Sequence, residues 1–179
     1  MAIVKNKLIL ALILTLIAII PRFYNLGELG FYGDEETTSF ASRSLAETGN
    51  PAMPSGMPYY RSLPQTTANA FFINIFGAEE ELSYRIFSAL AGSLTVAILF
   101  ICLQPFIGLF PAIIAALFLA LSEWHIFISR EARMYAPFLL FFLIATISAT
   151  RCALNSNPMR WPLAGTAIFA SMTLQPLGV

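Results

Sequence analysis

Two short stretches of the chain hold residue types suited to moving a proton and to binding an anion. The first is Asp34-Glu35-Glu36, which follows Gly30-Phe31-Tyr32-Gly33. The glycines permit a sharp turn and the aromatic rings favour an interface, so these carboxylates are expected just above a bilayer. A carboxylate in a partly desolvated pocket acts as a general base, and Asp34 is the candidate. The position equally suits a helix N-cap, with Asp34 as the cap and Glu35 and Glu36 facing the positive end of the helix dipole. The two roles are compatible, because a capping carboxylate is fixed in place.

The second stretch is Ser122 to Tyr135, which holds the one histidine, one of two tryptophans, Glu123, Glu131, Arg130 and Arg133. If the chain is helical from Arg130 onward, the two arginines share a face and repel unless an anion lies between them. A phosphate at the membrane surface meets that need, since guanidinium groups bind it through two hydrogen bonds. Alternatively, both arginines snorkel to ordinary lipid head groups. His125 could ligate a metal with Glu123 or Glu131, but a lone histidine has no ligand spacing, so no metal is assigned.

These residues need elements to position them, and the elements are apolar. Five spans are expected, at about 3–20, 86–103, 108–122, 134–150 and 161–177, treated together as a single transmembrane domain. Between the first two lies a loop, 21–85, with two amphipathic helices of its own. One runs over Glu35–Thr48 and stops at Gly49-Asn50-Pro51; the other runs over Thr67–Phe76 and stops at Gly77. Such helices are expected in the interface plane with their apolar faces in lipid. Glu79-Glu80-Glu81 reads as the solvated, dipole-facing start of the second span. The fold class is thus an all-α integral membrane protein with a long loop of interfacial helices.

Composition agrees. Of 179 residues, 58% are hydrophobic and 11% charged, too little charge to cover a water-exposed surface. The net charge is zero, so nothing points to nucleic acid. Cys102 and Cys152 fall in or beside apolar runs and read as buried free thiols. The first apolar run resembles a signal peptide, but Pro21-Arg22-Phe23-Tyr24 offers no small-residue cleavage site, so an uncleaved span is expected. Lys5, Lys7, Arg151 and Arg160 fall on one side of the bilayer with no acid, while all ten acidic residues fall on the other. The acid-free side is therefore expected to be cytoplasmic, in a cell (inner) membrane, with the functional loops outside.

In order along the chain, several segments resemble membrane glycosyltransferases of the dolichyl-phosphate-mannose–protein mannosyltransferase superfamily. They are Arg22-Phe23-Tyr24-Asn25-Leu26, Gly33-Asp34-Glu35, Gly49-Asn50-Pro51, Asn74-Ile75-Phe76-Gly77, Tyr84 to Val96, and Ser129-Arg130-Glu131-Ala132-Arg133-Met134-Tyr135. The resemblance covers about residues 20 to 150. It implies the N-terminal half of a GT-C-type bundle that moves a sugar from a polyprenyl-phosphate carrier to a protein, lipid or glycan acceptor at the outer face. By that resemblance Asp34 is the acceptor's base and Glu35 orients the acceptor or supports the pocket. Arg130 and Arg133 hold the carrier phosphate, with Tyr135 in the same motif, and Glu131 assists either step. Some relatives carry a lysine or acid in the stretch matching Tyr59 to Pro64; here Arg61 is its one charge and a further candidate substrate contact. The resemblance makes the lipid-linked sugar the donor substrate and assigns no cofactor; a divalent metal fits the chemistry but has no support in these residues.

Superfamily members usually continue for several hundred residues, whereas this chain stops inside its fifth apolar run. If coding continues, hexosyl or pentosyl transfer is expected; a chain complete at Val179 would lack half the carrier pocket and be inactive. The alternative reading is therefore a truncated, non-catalytic relative serving as a structural subunit among other subunits of a membrane complex. A channel or transporter is disfavoured, because no acid, lysine or histidine falls mid-span.

Overall fold

A computed structural model describes residues 2–155 and 161–175, and every secondary-structure element in them is a helix. The eight are α1 (Ala2–Phe23), α2 (Glu35–Thr48), α3 (Leu63–Phe76), α4 (Glu81–Ile107), α5 (Leu109–Leu121), α6 (Glu123–Ser129), α7 (Tyr135–Asn155) and α8 (Trp161–Leu174).

Helix α4 is the axis of the molecule and packs against α1, α3, α5, α6 and α7. Its core contacts use small residues. Ala11 and Ala18 of α1, Ala97 of α4, and Ala112, Ala116 and Ala120 of α5 are buried with Leu14, Val96 and Phe100. Alanines every four residues place a smooth stripe along α5, which lets helix backbones approach where lipid offers no hydrophobic drive for association. Gly92 continues the logic. A Cβ there would stand 2.6 Å from Ser129 Cβ and closer still to its Oγ, so α4 and α6 meet only because position 92 lacks a side chain.

Among the described residues, three helices are long and apolar enough to cross a membrane: α1, α4 and α7. The expected third span, 108–122, is α5, whose 13 residues are too short alone; it counts as a fourth span only together with α6, which it meets at 59° across Ser122. The expected fifth is represented by α8, whose 14 residues reach roughly 21 Å, short of a bilayer core of about 30 Å. Residues 176 and 177 of that expected span, like Arg160, lie outside the described residues. Pro21 does not end α1, which continues to Phe23, and α4 likewise runs through Pro105 to Ile107.

The two amphipathic helices of the 21–85 loop are present. α2 ends on Gly49, left-handed at φ 79°, whose N–H reaches the Leu45 carbonyl. α3 begins one residue before Pro64, four residues earlier than the sequence pattern suggested, and ends at Gly77. Both bury polar faces: Thr38, Ser39 and Ser42 from α2, and Gln65, Thr66 and Asn69 from α3. Phe71, Ile75 and Phe76 point outward, as a lipid-facing surface requires. Within the polar seam Gln65 Nε2 donates to Asn69 Oδ1 (2.9 Å) and Ser88 Oγ (3.2 Å), and Ser88 donates to the Arg133 carbonyl (2.9 Å). The seam thereby fastens the loop helices to α4 and to the segment before α7.

Candidate functional site

At the bundle end that carries α2 and α3, the chain assembles its charged residues in two layers. The inner layer is the pair Glu35–Arg85, both almost fully buried. Arg85 Nε and Nη2 donate to the two Glu35 oxygens at 3.0 and 2.9 Å. The remaining Arg85 hydrogens go to the carbonyls of Leu26, Leu29 and Gly30 at 3.0, 2.6 and 3.1 Å. Glu35 also accepts from the backbone N–H groups of Tyr32 (3.1 Å) and Ala132. Four segments meet on two side chains, and the carboxylate is fully occupied by donors, the condition under which a buried charge persists.

The outer layer is Asp34 and Arg133. Arg133 is 2% exposed in its side chain, while Asp34 is 71% exposed. Arg133 Nη2 donates to Asp34 Oδ2 at 3.1 Å, and Nη1 donates to the Asp34 carbonyl and to Thr38 Oγ1, both at 3.0 Å. Its guanidinium carbon lies 5.6 Å from the Tyr135 ring centre, and its Nε has no partner. A water-facing carboxylate is thus held from behind by a buried cation, which fixes its orientation without enclosing it. The Asp34 side chain does not cap α2; the first N–H groups, of Glu35 and Glu36, donate instead to the carbonyls of Tyr32 (3.2 Å) and Gly33 (3.4 Å), while the Tyr32 N–H donates back to the Glu35 carboxylate.

The sequence candidates therefore separate. Asp34, Arg133 and Tyr135 come together, with Glu35 directly behind. Arg130 does not share a helical face with Arg133, because residues 130–134 form a bend between α6 and α7. Its Nη1 donates to the carbonyls of Pro21 (2.8 Å) and Tyr24 (2.7 Å) at the end of α1, which have no helical partner of their own. Glu131 is half-buried beside this layer. Burial raises its carboxyl above the ordinary value of 4.5, and the Glu35 charge adds to the effect. Arg61 is exposed just before α3.

Two buried arginines had no assigned role in the sequence. Arg85 sits four residues after Glu81, a spacing that reads as a surface pair, and only the fold reveals its inward contacts. Arg22 is fully buried and donates to the carbonyls of Ala18 (2.8 Å) and Ala120 (3.1 Å), with Nη2 2.6 Å from His125 Nδ1. It holds the break between α5 and α6. His125 thus faces a cation, and no cluster of three metal-ligating side chains occurs among the described residues. Both cysteines are free thiols.

Apolar helices around a charged, loop-bearing end define an all-helical membrane protein with its polar chemistry at one end. A profile of the dolichyl-phosphate-mannose-protein mannosyltransferase family matches residues 68–175, more than half of the chain. The chain belongs to this family of glycosyltransferases, whose donor is a lipid-linked sugar. The match includes Arg85, Arg130, Glu131, Arg133 and Tyr135 and begins after Asp34 and Glu35. No curated protein matches the chain.

Proposed function

We propose that the chain transfers a sugar from a polyprenyl-phosphate carrier to an acceptor at the outer face of the cell membrane, acting as the N-terminal half of a GT-C-type bundle. The observation that carries this reading is the Asp34–Arg133 pair, a solvent-facing carboxylate anchored on a buried guanidinium at the charged end of an apolar bundle.

In this reading Asp34 takes the proton of the acceptor hydroxyl through Oδ1, the oxygen that Arg133 leaves free. The acceptor oxygen bonds to the anomeric carbon as the bond to the carrier phosphate breaks, with inversion. The leaving phosphate is met by the exposed Arg61 and by the Arg130 hydrogens not bound to α1, with the charge of the buried Arg133 and the Tyr135 ring beside it acting from behind. Glu35 acts from behind, by holding Asp34 and the Ala132 segment in register, and Glu131 assists on the acceptor side. The N-terminus is assigned to the cytoplasm, because Lys5, Lys7, Arg151 and Arg160 form an acid-free basic side.

Labelled polyprenyl-phosphate sugar supplied to membranes with and without the chain tests the reading. Label leaving the carrier fraction only where the chain is present supports it. Equal transfer in both membranes removes it.

A further inference from the structure

A cavity of about 230 Å³ lies between the N-terminal half of α2 and the start of α4, outside the pairs that build the candidate site. Its walls carry three acids, Glu36, Glu79 and Glu81, and one arginine, Arg43. Arg43 turns Nε to Glu47 (2.8 Å) and Nη2 to Glu79 (2.9 Å). The Glu36 carboxylate engages no donor and no cation among the described residues. Glu81 Oε2 accepts no hydrogen bond; its neighbour Arg85, 3.7 Å away, gives its hydrogens to Glu35 and to carbonyls. Acids at helix starts are common and name no ligand by themselves. Ser39 supplies an independent sign: it is 5% exposed, lines the same cavity and has a hydroxyl without a partner.

We propose that this cavity binds a primary ammonium group, carried by a small amine or by an aminophospholipid head, whose hydrogens go to Glu36, Glu81 and Ser39. The volume is below the range of about 300–1,000 Å³ typical of larger ligands, so it admits a small head and a short stem.

Charge, hydrogen-bond capacity and aromatic walls decide the chemistry of the ligand. Three acids against one arginine leave the walls net negative, which attracts a cation and repels an anion. The spare groups are acceptors, whereas the donors are largely spent: Arg43 serves Glu47 and Glu79, and the Tyr84 hydroxyl donates to the Ala78 carbonyl at 2.9 Å. The ligand must therefore bring N–H donors, and an ammonium has three. A bare metal ion needs converging ligands, and no group of three metal-ligating side chains occurs among the described residues. The rings of Phe31, Phe40 and Tyr84 line the cavity as well, and aromatic walls favour a cation and its carbon stem. A quaternary cation would share that attraction but leave the acceptors without hydrogens.

This site requires no turnover and stands apart from the transferase reading. The test uses the full chain in phosphatidylcholine nanodiscs, a lipid without a primary amine. They are titrated at pH 7 with 4,4,4-trifluorobutylammonium, and binding is read from the fluorine NMR line width. The ammonium is expected to broaden saturably, and 4,4,4-trifluorobutanol, the same stem without the charge, only in proportion to its partitioning into the bilayer. Glu36→Gln, made at an exposed side chain, should weaken the ammonium about tenfold, and Ser39→Ala should weaken it in the same direction. Replacing the lipid by phosphatidylethanolamine assigns the source, and both of its outcomes support the site. Weaker probe binding places the lipid head in the cavity; unchanged binding assigns it to a soluble amine. A line width that never saturates would overturn the proposal, as would equal affinity for the alcohol or binding untouched by both substitutions. Displacement of the probe by tetramethylammonium as effectively as by ethylammonium would overturn the assignment to a primary ammonium.

Discussion

Glu35 and Arg85, fifty positions apart in the chain, meet with two nitrogens on two oxygens at 3.0 and 2.9 Å in a dry interior. Neither faces solvent, so their contribution is positional: they set where Asp34 and Arg133 stand. Removing one partner of a buried pair costs about 3–5 kcal/mol, because the other charge is left uncompensated. Glu35→Gln and Arg85→Met are therefore each expected to destabilise strongly, and the double variant less than the sum of the two. Unfolding in detergent, measured as a double-mutant cycle, should give a coupling of about 2 kcal/mol or more. Additive losses would mean that the pair does not act as a unit.

The approach of α4 to α6 at Gly92 makes a second prediction. Gly92→Ala should force the helices apart and cost about 1–3 kcal/mol by overpacking. Since the obstructing atoms belong to the Ser129 side chain, Ser129→Gly should recover much of the loss, whereas Ser129→Ala keeps the Cβ and should recover little. The midpoints of thermal unfolding of the three variants check this order.

Glu131 links stability to pH. Its carboxyl is raised above 4.5 by burial and then by Glu35, so the folded chain binds its proton more tightly than the unfolded chain does. Stability from this group is therefore greatest below about pH 4.5 and falls as pH rises through the raised folded value. Glu131→Gln, which stays neutral, should be more stable than the parent at pH 7, with the advantage disappearing at pH 4. Thermal melts of both proteins across that range measure it. An advantage that is independent of pH would assign the effect to packing instead.

Much of this organisation was legible in the residues. The stop at Gly49, the helix starting at Glu35 and the long apolar α4 and α7 follow from local signals: a left-handed glycine, an acidic first turn and sustained apolar runs. The break in the α5–α6 pair was not legible, because its cause is distant. Arg22, 98 positions before Ala120, satisfies the carbonyl freed at the bend. The separate fates of Arg130 and Arg133 were hidden for the same reason. Their three-residue spacing suggested one helical face, and the bend sends one to the end of α1 and the other to Asp34. Spacing reports local geometry, while the partner of a buried charge is chosen by the fold.

The central claim is that Asp34 takes the acceptor's proton in a sugar transfer. It is most directly tested by measuring transfer from labelled polyprenyl-phosphate sugar in membranes carrying the parent chain or Asp34→Asn. Asp34→Asn keeps an oxygen for Arg133 to donate to, and transfer is normalised to the folded protein measured in each sample. The account predicts a loss of transfer of about 10²–10⁴-fold, the usual contribution of a positioned base. Transfer by Asp34→Asn at the parent rate would contradict it.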